Sequence, residues 1–267
     1  MTTEDAPERG AHFVQSLERG LTVIRAFSAE RPSMTLSEVA RATDLTRAAA
    51  RRFLLTLVDL GYVRTDGRMF CLTPRVLELG YAYVASAGLP DVAQPHLEDL
   101  SRLVRESASV SVMEGDDVLY VARVATTRIM AVAITVGTRF PAAATSMGRV
   151  LLAGFDEAAL TGYLDRVELQ PLTRFTITDT ARLRSEILKV REQGYAIVDQ
   201  ELEEGLRSLA APIRDTDGKV IAAANVSAHA NRSSIDDVRR DLLPALLETT
   251  TRIEADLAAV AHRDAAR

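Results

Sequence analysis

The sequence predicts two units joined by a linker helix. The first is a winged helix-turn-helix, mainly α with a β-hairpin wing, and the second is an α+β domain. Three observations carry this. Thr35 to Leu60 holds two amphipathic helices separated by a short break. A β-hairpin, Tyr62 to Leu72, follows at once. Beyond Asp91, helices are grouped with short strands that arrive as hairpins, the pattern of helices around an antiparallel sheet.

The bulk properties agree. A chain of 267 residues with 47% hydrophobic residues suits two domains with sizeable cores. The single cysteine, Cys71, excludes an internal disulfide framework. No apolar run is long enough to span a membrane, and the opening MTTEDAPERGAH has no signal-peptide core, so a cytoplasmic protein without a membrane partner is expected. The net charge of −5 is unevenly spread: +2 over residues 1–75 and −7 over the remainder. Positive charge is concentrated where a nucleic-acid contact would need it.

Taken in order, residues 1–12 read as a flexible tail. From Phe13 a helix is expected, with Ser16 as its cap and Leu17, Leu21, Ile24 and Phe27 facing inward. Glu30 to Ser33 is the loop that follows. Thr35 and Glu38 have capping-box spacing, so the next helix starts at Leu36, buries Leu36, Val39 and Ala40, and ends near Ala42. Thr43 to Leu45 is the turn, and Thr46 caps the second helix. That helix places Ala50, Phe53, Leu54, Leu57 and Val58 on one face. The other side carries Arg47, Arg51, Arg52 and Thr56, with Ala48 and Ala49 at its start; Leu55 does not fit the pattern. Small and basic residues at the front of a second helix suit entry into the major groove. The expected DNA-contacting set is Thr35, Ser37, Thr46, Arg47, Ala48, Arg51, Arg52 and Thr56, with Arg64 and Arg68 on the wing. Asp66-Gly67 is the hairpin turn, and Arg68 to Leu72 the return strand. The DNA-binding domain is therefore assigned to 13–73.

Pro74 opens the linker helix, which offers Val76, Leu77, Leu79, Gly80, Tyr83 and Val84 as an apolar surface. Linker helix and linker occupy 74–90. The second domain, 91–262, is expected to contain a helix from Asp91 to Glu106 and strands at 107–113, 118–124, 129–136, 195–199, 208–214 and 220–227. Helices are expected at 146–154, 157–164, 179–193 and 234–260. Gly137 to Pro141 reads as loop.

The fragments SLERGL (16–21), TLSEVARATDL (35–45), LGYV (60–63), PAAATSMGRVLLA (141–153) and GYAIVDQELEEGLRSLAAP (194–212) resemble, in this order, the IclR family of transcriptional regulators. The text is most similar to the branch that regulates protocatechuate and β-ketoadipate catabolism, the PcaR, PcaU and PobR type. The resemblance implies a GAF-like effector domain, dimers or dimers of dimers on palindromic operators, and RNA polymerase contact in those members that activate. It implies control by a small carboxylic acid and no cofactor. Its pocket positions are Met130, Phe140, Ser146, Met147, Asp199, Ser208, Asn225 and Ser227. Ser146, Met147 and Asn225 depart from the glyoxylate-binding type, which implies a different effector: protocatechuate, β-ketoadipate or 4-hydroxybenzoate. Backbone N–H groups at the Ser146 helix start can hold a carboxylate. Arg123, Arg128 and Arg139 are candidates for another. Asp199 beside such a site requires a proton or a partner such as Arg207.

Two other classes were weighed. An enzyme finds little support: His12, His96, His229 and His262 lie far apart, no metal-ligand spacing occurs, Cys71 sits at a small apolar strand position, and Glu201, Glu203 and Glu204 read as a solvated turn. A module that contacts only proteins would not need the arginine-bearing helix. Within the family, a regulator of another carbon source is the alternative.

Overall fold

The computed structural model describes residues 12–28, 31–79, 88–126 and 134–265. The chain divides into two compact units, residues 1–86 and 87–267.

The first unit has the element order α1 (Gln15–Arg25), β1 (Ser33–Thr35), α2 (Leu36–Ala42), α3 (Arg47–Asp59), β2 (Val63–Thr65) and β3 (Met69–Leu72). Both halves of the expected capping box form at Thr35 and Glu38, and Thr46 Oγ1 accepts from the Ala49 N–H at 3.2 Å. Val39, Ala40, Ala50, Leu54 and Leu57 are buried with Val23, Met34, Val63 and Phe70 in one cluster. Gly61 (φ +80°) and Gly67 (φ +93°) make the two left-handed turns that end α3 and close the wing.

Four expectations differ from the structure. Ser16 does not cap α1, which starts at Gln15 with no side-chain cap. Of its expected inward residues Phe27 is buried and Ile24 packs partly against the same cluster, while Leu17 and Leu21 are exposed and Val23 is the buried residue within the helix. Ser33 to Thr35, expected as the end of a loop and a cap, pairs with β3 and makes the wing three-stranded, in the order β1-β3-β2. Arg68 lies in the turn, not on the return strand. After β3, Pro74–Leu77 is a 3-10 turn. The linker-helix residues Gly80, Tyr83 and Val84 lie outside the described residues.

The second unit is built on a six-stranded sheet of order β6-β5-β4-β9-β8-β7, every described pairing antiparallel. Its strands are β4 (Ser107–Glu114), β5 (Asp117–Val124), β6 (Arg139–Pro141), β7 (Ala196–Asp199), β8 (Leu206–Arg214) and β9 (Val220–His229). Its helices are α4 (Leu89–Val104), α5 (Ser146–Ala153), α6 (Glu157–Arg166), α7 (Thr180–Gln193) and α8 (Leu243–Ala265). One sheet face, with Ala108, Val110, Leu209 and Val226, packs on Leu97 and Leu100 of α4 and Leu246 and Ile253 of α8. The other face, with Val118, Tyr120, Ala210 and Ala223, packs on Met147, Leu151, Leu160, Leu183 and Ile187 from α5 to α7.

Residues 129–133 of the strand expected at 129–136 lie outside the described residues, and 134–136 belong to no described strand. Among the described residues the edge strand is β6, where Pro141 costs nothing because an edge needs no donor on its outer side. α4 begins at Leu89 rather than Asp91, with proline in its first turn. The last helix starts as expected at a Ser234–Asp237 capping box but contains a π turn, Val238–Leu242, before α8. Pro244 has no N–H to return to the preceding turn, which accounts for that break in the ladder.

Candidate DNA interface and effector site

In the first unit, burying Ala50, Leu54 and Leu57 turns the opposite side of α3 outward, so Arg47, Ala48, Arg51, Arg52 and Thr56 are all exposed. Among the described residues none of these three arginines has a carboxylate within ion-pair distance. Thr46 and Thr35 are committed to helix caps: Thr35 Oγ1 also donates to Glu38 Oε2 at 2.7 Å. Ser37 is half-buried on α2. Arg64 on β2 and Arg68 in the turn are exposed on the wing. Asp66 Oδ1 accepts the Met69 N–H at 2.7 Å and the Arg68 N–H at 2.9 Å, which holds its carboxyl below the usual range and fixes the wing tip.

In the second unit the strand register assembles the other site. Ser109 faces Arg123 on one neighbour and Asn225 on the other; Ser107 faces Ser227, which faces Ser208. Side chains alternate along a strand, so these residues share the face that carries Ala210 and Ala223. A bulge between Val110 and Ser111 keeps Ser111 and Tyr120 on that face too. The result is a polar row, Arg123–Ser109–Asn225, beside Ser107–Ser227–Ser208, inside an otherwise apolar layer. Helix α5 starts over it: Ser111 Oγ donates to Met147 Sδ at 3.2 Å, and Thr145 Oγ1 caps the helix by accepting the Gly148 N–H at 3.0 Å. A Cβ at Gly148 would collide with the Ala142 backbone, so the glycine lets α5 sit directly against the Ala142–Ala144 turn.

Hydrogen bonding in this row is incomplete. The Arg123 guanidinium donates to Ser109 Oγ at 3.0 Å, and the Asn225 amide donates to Ser227 Oγ at 3.2 Å. Arg123 Nε, Asn225 Oδ1 and Ser146 Oγ are buried and have no partner among the described residues. Buried polar atoms are ordinarily satisfied, so these three keep hydrogen-bonding capacity for a ligand's groups. Desolvation lowers the Arg123 pKa and pushes the Tyr120 hydroxyl up to about 12, both signs of a dry site. Phe140 lies edge-on to Tyr120, ring centres 5.7 Å apart, and closes the apolar side.

The remaining expected residues divide. Arg139 is exposed at the sheet edge, held by Asp117 at 3.2 Å and the Glu114 carbonyl at 2.9 Å, and does not join the row. Asp199 does find Arg207, at 2.8 Å, but the pair alternates with Ser208 and so lies on the other face. Arg128 and Met130 lie outside the described residues. Reading from sequence missed Ser107, Ser109 and Ser111; their signal was the alternation SASVSV, whose serine side meets α5 rather than water. It also misplaced Glu201, which is buried. Arg149 on α5 donates to Glu201 Oε2 at 2.6 Å and to the Ala143 carbonyl at 3.2 Å, and the Ile177 N–H donates to the same carboxylate at 3.1 Å. His96 on α4 pairs with Asp256 on α8 at 2.8 Å, on the sheet face opposite the polar row.

Comparison with known proteins now decides the family. Residues 81–255 match the family described as bacterial transcriptional regulator IclR C-terminal, and residues 16–67 match the IclR helix-turn-helix domain. The chain belongs to the IclR family of transcriptional regulators. It is 47% identical over 236 residues to the Pca regulon regulatory protein of Pseudomonas putida, covering 88% of this chain and 81% of that one. A solved transcriptional regulator from Rhodococcus sp. RHA1 superposes with a TM-score of 0.85 at 59% identity, over 93% of this chain and all (100%) of the other. An IclR homologue from Microbacterium hydrocarbonoxydans, solved in complex with 4-hydroxybenzoate, superposes with a TM-score of 0.82 at 28% identity, over 91% and 98% of the two chains. This IclR-family chain thus has the expected helix-turn-helix and α+β effector domains. No helix among its described residues is long and apolar enough to cross a membrane.

Proposed function

We propose that this IclR-family regulator binds operator DNA through α3 and the wing, as a homodimer on a palindrome, and senses a hydroxylated aromatic carboxylate at the Arg123–Ser109–Asn225 row. The observation that carries the effector reading is the set of three buried, unpartnered polar atoms: Arg123 Nε, Ser146 Oγ and Asn225 Oδ1. Two can donate and one accepts. An arginine and the N-terminal turn of α5 suit a carboxylate, which only accepts. Asn225 Oδ1 needs a donor, and a phenolic hydroxyl supplies one where an ionised aliphatic diacid does not. Phe140, Tyr120 and Met147 offer the apolar surface a ring would lie against. The Pca regulon relative and the 4-hydroxybenzoate complex of the Microbacterium homologue support an aromatic-acid pathway.

Thermal unfolding of the full chain against protocatechuate, 4-hydroxybenzoate, benzoate and β-ketoadipate tests this. A ligand at 100 times its Kd adds about 2.7 kcal/mol. A hydroxybenzoate should raise the Tm, with benzoate and β-ketoadipate weaker. A shift with β-ketoadipate alone would replace the phenolic reading by a diacid one. No shift with any acid would remove the effector assignment and leave the DNA-binding unit standing.

A further inference from the structure

α3 is not the only helix that presents cations on its outward side. A cleft of about 300 Å³ runs between the N-terminal part of α1 and the middle of α3, lined by Gln15, Ser16 and Arg19 on one side and Arg52, Phe53 and Thr56 on the other. Half-buried Phe53 lies between the two helices, opposite Gly20 of α1. On α3, Arg52 and Thr56 belong to the exposed side with Ala48, so the cleft opens along the flank of the DNA-facing surface rather than behind it.

Its chemistry is one-sided. Two guanidinium groups, two hydroxyls and an amide line it, and no carboxylate does. Among the described residues neither Arg19 nor Arg52 has an ion-pair partner, whereas exposed arginines of the second unit such as Arg166, Arg240 and Arg252 do. Like charges share a cleft at a cost unless an anion joins them. α1 also begins without a side-chain cap, with Glu18 as the acid in its first turn.

We propose that α1 is a second DNA-contacting helix, in which Arg19, supported by Gln15 and Ser16, holds a backbone phosphate next to the one reached by Arg52. This rests on the DNA-binding reading of α3. The contact carries no base information; it fixes the angle at which α3 enters the groove.

The test is anisotropy of the full chain on a mixed-sequence duplex of about 30 bp, titrated over a range of salt; losing one phosphate contact should lower the slope of log K against log salt by about 0.9. Arg19→Ala should do this with its Tm unchanged, and Arg19→Lys should retain most of the slope. Ser16→Glu separates folding from binding: an acid in the first turn of α1 favours the helix but repels a phosphate, so its Tm should hold or rise while duplex affinity falls. Duplex binding by Arg19→Ala and Ser16→Glu equal to wild type, with Arg51→Ala impaired, would overturn this inference alone. If Arg51→Ala were also silent, the α3 reading itself would fall. Thermal stabilisation of wild type by inorganic phosphate that Arg19→Ala loses, without any change in duplex binding, would make the cleft a site for a free anion and also overturn it.

Discussion

Arg123 brings a charge into a layer whose other occupants are serines, alanines and an amide. Its Nη1 is answered by Ser109 and its Nε by nothing among the described residues. Holding an arginine half-satisfied costs stability, a cost a regulator tolerates when the missing partner is its signal. Arg123→Ala should therefore leave the fold intact or slightly stabilised and remove the ligand-induced Tm shift. A charge-assisted hydrogen bond is worth roughly 1.5–3 kcal/mol, so affinity should fall about 10- to 150-fold. Isothermal titration with the acid that shifts wild type would measure it; unchanged affinity would exclude Arg123 as a ligand contact. Of the three candidate arginines, spacing alone could not select this one. Arg123 and Arg139 are both strand residues, and only the register with Ser109 and the ion pair with Asp117 separate them. Asn225 and Ser227, by contrast, were legible, because two polar residues with one residue between them in an apolar strand must share a face.

At the scale of elements, what could be read locally was read well. The Thr35–Glu38 box, the Thr46 cap and the Asp66-Gly67 turn are each specified by a few adjacent residues. The short strands β1 and β6 were not legible, since three residues carry no periodicity and their existence depends on an edge elsewhere offering hydrogen bonds. The burial of Glu201 was hidden for the same reason. Its environment is made by α5, 52 residues earlier, and by the Ile177 backbone. That ion pair ties the helix whose first residue is Ser146 to the loop leading into β8. Arg149→Met leaves a buried carboxylate with one backbone donor, and breaking such a pair costs about 3–5 kcal/mol. Urea unfolding should show this loss, and Arg149→Met with Glu201→Gln together should lose less than the sum of the two single changes. Strict additivity would mean the two side chains are not coupled, and α5 would need another anchor.

For the whole molecule, regulation requires that the effector bind the DNA-competent and DNA-incompetent states with different affinity; tight binding alone shifts nothing. The two units are built so that each activity has its own core. Val23, Leu54 and Phe70 belong to a cluster confined to the first unit, and the two clusters on either face of the six-stranded sheet belong to the second. A sheet covered on both faces by helices encloses enough apolar surface to fold as a cooperative body. Residues 87–267, expressed alone, should therefore melt in a single transition and keep the wild-type effector affinity, while losing the salt-dependent duplex binding proposed for the arginines of α3 and the wing. Calorimetry with and without the acid measures the first two, and anisotropy the third. A fragment that melts cooperatively but no longer binds the acid would place part of the effector site outside the sheet face. A fragment with no cooperative transition would show that the second core is completed only by the rest of the chain.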